Sequence, residues 1–216
     1  RQSIISDITS RIDLLLEQSR YSELDNNSIP QLINDLSVVD STYVYRPSEV
    51  HFDNYKLALD KAIEEDDVIT QKSLLNVGKA IFTNNQKNEL GFADLLKRES
   101  AIDALTLYQK KVNLGEPADF PTEDAVVFYG PRFDRYTQKL ETIEEYRDLL
   151  DFEELINTES ATLPKDFSLL VSLKQELSRR YITMANTLMK RKMYRTAEQL
   201  VERSEAITQS LDNVML

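Results

Sequence analysis

Residues 181–214 read YITMANTLMKRKMYRTAEQLVERSEAITQSLDNV, and the spacing within them decides the fold. Tyr181, Met184, Ala185 and Leu188 recur at intervals of three and four, so they share one face of a helix. A short break at residues 191–193 separates them from a second face of Tyr194, Ala197, Val201, Ser204 and Ile207. Small side chains at Ala185 and Ala197 let two antiparallel helices approach closely, while Tyr181 and Tyr194 fill the wider gaps. The stretch predicts a helix hairpin.

This order of residues resembles one tetratricopeptide repeat: an aromatic, a large-plus-small pair and another large residue, then an alanine and a large residue on the second helix. It departs from that pattern at Lys192, where a turn glycine is usual, and in lacking a closing proline. The resemblance implies an all-α fold of stacked antiparallel helical hairpins, a TPR-like α-solenoid or an irregular helical bundle. It also implies a scaffold whose free groove receives a partner.

Upstream the same logic recurs. Ile5, Ile8, Ile12 and Leu15 form one apolar stripe, and Leu32, Ile33, Leu36 and Val39 a second. The polar run Glu23 to Asn27 parts them; Ser28 can cap and Pro30 sits in the first turn. The segment STYVYRP, residues 41–47, reads as a loop packed by Tyr43 and Tyr45, with no partner strand in sight. Phe52, Tyr55, Leu59 and Ile63 predict a third helix. Asp66 or Asp67 can cap a fourth that runs to Phe82, where Ala58, Ala62, Gly78 and Ala80 permit close contact.

Leu90 to Val112 gives a helical pair or one bent helix, and residues 113–122, with Gly115, Pro117 and Pro121, are the clearest punctuation. We therefore expect hairpins over 1–112, a connecting loop at 113–122, and further hairpins over 123–216. Within the second half a short helix is expected to stop at Gly130 and Pro131, one helix to run from Phe133 through Leu150, and Pro164 to open a long one.

Composition narrows the function. A chain of 216 residues buries about 70% of its unfolded surface without staples. Cysteine is absent, which excludes thiol catalysis, thiolate metal sites and disulfides, and leaves the reducing cytoplasm and the bacterial cell envelope equally open. The net charge of −11 repels phosphate backbones and anionic lipid, so nucleic acid is not the expected partner. No apolar run approaches the ~18 residues of a membrane span, and no signal peptide opens the chain. A soluble domain is expected. Beginning on Arg1, it reads as a piece of a longer protein in which an anchor could precede it.

Catalytic signatures are lacking. His51 is the sole histidine, no calcium-loop spacing accompanies the acidic run 64–67, and there is no phosphate loop, dinucleotide fingerprint or nucleophile elbow. No enzyme activity, cofactor or metal is expected. Charge and aromatic patterning point instead to binding. The segment FYGPRFDRY, residues 128–136, concentrates Tyr129, Arg132, Phe133 and Arg135 around a Gly-Pro turn, and Lys190, Arg191, Lys192 and Arg195 form a basic turn without an acid among them. These eight are the candidate protein-binding residues. The acidic stretch 141–154 could neutralise that turn within the chain. The rival reading is a helical sensor or regulatory domain that encloses a small ligand between its helices.

Overall fold

A computed structural model describes residues 1–22 and 27–215, which form ten helices and no strand. The all-α class is as expected. Of the polar run 23–27, only Asn27 falls within the described residues. The helices divide into two compact units, Arg1–Asp103 and Ala104–Leu216. That division falls inside a helix and not at 113–122. Glycine and proline mark where a chain turns, and a turn need not separate two cores.

The first unit contains α1 (Gln2–Glu17), α2 (Ile29–Val39), α3 (Glu49–Glu64), α4 (Val68–Ile81) and α5 (Asn84–Glu89), and the start of α6 (Phe92–Asn113). Helix α1 packs on α2 and α3, and α4 packs on α2 and α3. The N-caps are local: the backbone N–H of Gln31, His51 and Thr70 donate to the side chains of Ser28, Ser48 and Asp67. Helix α5 was not foreseen, although Thr83 and Gln86 form the reciprocal capping box that starts it.

Tyr55 is the centre of this core. It is wholly buried, its hydroxyl donates to the Leu74 carbonyl at 2.6 Å, and Tyr21 and Phe82 meet its ring edge-on at 5.7 and 4.7 Å. Gly78 makes room for it, since a Cβ there would lie 2.4 Å from both the Tyr55 hydroxyl and Phe92 Cζ. A second buried feature is polar. Arg98 of α6 donates from Nε to Gln71 at 2.9 Å and from Nη2 to Asp66 at 3.1 Å, and Gln71 donates in turn to the Ala62 carbonyl. Segment 41–47 is a loop as expected, but only Tyr45 packs inward, donating to Asp13 at 2.5 Å; Tyr43 is exposed.

The second unit holds the end of α6 with α7 (Thr122–Thr142), α8 (Tyr146–Glu159), α9 (Ser168–Lys190) and α10 (Tyr194–Met215). Helix α9 is its axis and packs on α7, α8 and α10. Three expected boundaries are corrected. Helix α7 runs through Gly130 and Pro131, because Ala125, Phe133 and Leu140 keep one buried stripe on both sides of the proline and outweigh the lost backbone bond. The expected helix from Phe133 through Leu150 breaks at residues 143–145, and α9 opens at Ser168, four residues after Pro164.

The α9–α10 hairpin forms as its spacing predicts. Tyr181, Met184, Ala185, Leu188, Ala197 and Ser204 are buried, whereas Tyr194, at the start of α10, is exposed and fills no gap. Ser178 and Ser204 bond side chain to side chain at 2.8 Å, Ser204 also donates to the Ser178 carbonyl at 3.0 Å, and Thr208 reaches Ser178 at 3.2 Å. Nearby, Glu153 of α8 accepts from the Tyr181 hydroxyl at 2.5 Å and from Arg203 at 2.8 Å. Burial and that carboxylate hold the phenol protonated, well above its usual range.

The turn forms without glycine. Lys192 takes φ +65°, the Met193 N–H reaches back to the Leu188 carbonyl at 2.9 Å, and the Lys192 N–H to that of Met189 at 3.0 Å. A left-handed lysine costs about 1–2 kcal/mol, part of which glycine's greater freedom in the unfolded chain would cancel. Lys192→Gly is therefore expected to raise stability by about 0.5–1 kcal/mol in urea unfolding, and a loss would mean the lysine side chain holds the turn.

Candidate peptide-binding groove

A surface groove of about 590 Å³ opens on the second unit, lined by the end of α6, the loop after it, α7 and the α8–α9 connection. Its shape begins with Gly115. At φ +70° this residue ends α6, with the Glu116 N–H bonded to the Lys111 carbonyl at 3.0 Å, and turns the chain so that Phe120 returns beside Tyr108. The two rings meet edge-on at 5.4 Å. Behind them Phe167, itself 2% exposed, takes Phe120, Tyr129 and Phe133 edge-on at 5.9, 6.2 and 6.0 Å. The wall of Tyr108, Phe120 and Tyr129 thus stands on a buried ring and is held in place before any partner arrives.

The rim is polar and carries no carboxylate. Lys110 is its one cation, Gln109 donates to Asn113 at 2.9 Å, and Leu114 and Thr162 are exposed at the edge. The volume lies within the range of about 300–1,000 Å³ usual for ligand sites. Comparison with family models, with curated proteins and with solved structures gave no match. The function must therefore be argued from the groove itself.

The expected binding residues separate. Tyr129 lines the groove, and the Arg132 guanidinium lies over its ring at 5.3 Å. Phe133 is 5% exposed and belongs to the core, because α7 continues through the Gly-Pro pair and turns that face inward. Arg135 is half-buried. Lys190, Arg191, Lys192 and Arg195 are all exposed at the α9–α10 turn, outside the groove. Tyr108, inside the helical stretch Leu90 to Val112, and Phe120 are not among the eight expected binding residues. The signal for the latter was a lone aromatic between two loop prolines, which a solvated connector has no need of.

His51 lies in the first turn of α3 and is buried, and its Nδ1 has no hydrogen-bond partner, with Asp13 Oδ1 3.9 Å away. Among the described residues no group of three or more histidine, aspartate or glutamate side chains is placed to hold a metal ion. No described helix is long and apolar enough to cross a membrane.

Proposed function

We propose that the chain is a non-catalytic helical scaffold, TPR-like in its hairpins, that binds a protein or peptide in the groove of its second unit. One observation carries this reading: three aromatic side chains line the groove, Tyr108 edge-on to Phe120, and Phe120 and Tyr129 each edge-on to the buried Phe167. Such a wall offers large apolar contact at little ordering cost, and a polar rim around it excludes water from the contact. Lys110, unopposed by any acid in the lining, selects a ligand with a carboxylate beside its apolar anchor.

Selection of peptides from a displayed library against the whole chain tests the proposal. Binders are expected to lose at least about tenfold in affinity on Tyr108→Ser and on Tyr129→Ser, as loss of a central aromatic contact does. They should be indifferent to changes at exposed Leu57 of the first unit. Binders that ignore both groove variants overturn the reading. Thermal stabilisation by small metabolites, with no peptide selected, would favour the sensor reading instead.

A further inference from the structure

The second unit carries two further surfaces of opposite charge that do not meet. The first is the α9–α10 turn, where Lys190, Arg191, Lys192 and Arg195 are exposed and, among the described residues, form no side-chain hydrogen bond or ion pair. Met193 and Tyr194 stand between them, 41% and 62% exposed. The backbone bonds that close the turn fix its form, so cations and apolar side chains project together from a rigid knob.

The second surface is a groove of about 620 Å³ at the α7–α8 junction. Its floor is apolar, made by Ile143, Phe152 and Leu155. Its rim carries Glu144, Glu145, Asp148 and Asp151, with Lys139 the one cation in the lining. None of these four carboxylates is paired among the described residues; the acid of this stretch that is paired, Glu153, takes Tyr181 and Arg203. The acidic stretch therefore does not neutralise the basic turn within the chain. Four cations around two exposed apolar side chains match four anions around an apolar floor.

We propose that the knob of one copy of this chain docks in the acidic groove of a second copy. The contact pairs two different patches, so each copy retains a free knob or a free groove and association continues head to tail. Charge complementarity sets the register, while Met193 and Tyr194 supply the apolar burial. The net charge of −11 opposes close approach, so the contact is weak and concentration-dependent. This inference is independent of the aromatic groove and survives its failure.

Sedimentation velocity of the full chain tests it. Association that grows with concentration at about 0.05 M salt should weaken at least about tenfold at about 0.5 M salt, where exposed charges are screened. Lys190→Glu with Arg191→Glu, and separately Glu144→Lys with Glu145→Lys, should each give a monomer. Mixing the two variants should restore association, since the unaltered knob of one meets the unaltered groove of the other and the reversed knob meets the reversed groove. Circular dichroism of each variant checks that its helices are intact, and Lys190→Ser with Glu144→Gln, in separate chains, replaces any that unfolds. A wild-type chain that stays monomeric, association that survives either reversal, or a mixture that remains monomeric overturns the proposal.

Discussion

Arg98→Ala should destabilise the first unit by about 3–5 kcal/mol, because removing one partner leaves a buried charge uncompensated. The side chains of Arg98 and Asp66 are only 7% and 15% exposed, and Gln71, which receives the Arg98 Nε–H at 2.9 Å, is buried as well. Alanine takes a buried cation away from Asp66 and a donor away from the Gln71 side-chain oxygen together. Arg98→Met retains much of the volume, and a double change with Asp66→Asn also removes the stranded charge, so that pair should recover most of the loss. Urea unfolding of the full chain, followed through the transition of the first unit, measures both. If Arg98→Ala costs less than about 1 kcal/mol, water reaches the cluster and the pair behaves as a surface one.

Ala185→Phe should cost about 3 kcal/mol, the upper end of what overfilling a packed core costs. Ala185 is 1% exposed within the cluster that holds Leu188, Ala197 and Leu200, so a ring there must push α9 and α10 apart. Ile182→Phe is the control. That residue is three positions earlier on the same helix and 39% exposed, and the same ring should cost less than about 0.5 kcal/mol there. Equal thermal stability of the two variants would mean that the small side chain at 185 sets no helix spacing.

These expectations trace back to different depths of the sequence. The hairpin was legible because Tyr181, Met184, Ala185 and Leu188 repeat at the helical period, and period is a local property. The caps at Ser28 and Asp67 were legible for the same reason. Proline and glycine misled at 130–131, where they report a backbone preference that the buried face of α7 overrides at the tertiary level. At 113–122 they mark a real turn between α6 and α7. Arg98 was hidden altogether. In LLKRES it reads as one more solvated charge, since nothing local reveals that Gln71 and Asp66 come to lie against it from 27 and 32 residues away. The aromatic wall was half legible: Tyr129 was picked out by its neighbours in sequence, whereas Tyr108 and Phe120 come together only through the chain reversal at Gly115.

The hydroxyls of Ser178, Ser204 and Thr208 give the α9–α10 hairpin a notch as well as a seam. Apolar side chains alone would tolerate a slide of α10 along α9 by one turn, exchanging one greasy contact for another. Such a slide would part Ser178 from Ser204, and a buried hydroxyl that loses its partner costs about 1–3 kcal/mol. Only one alignment of the two helices is comfortable, so this hairpin folds to a single stop and cannot ratchet.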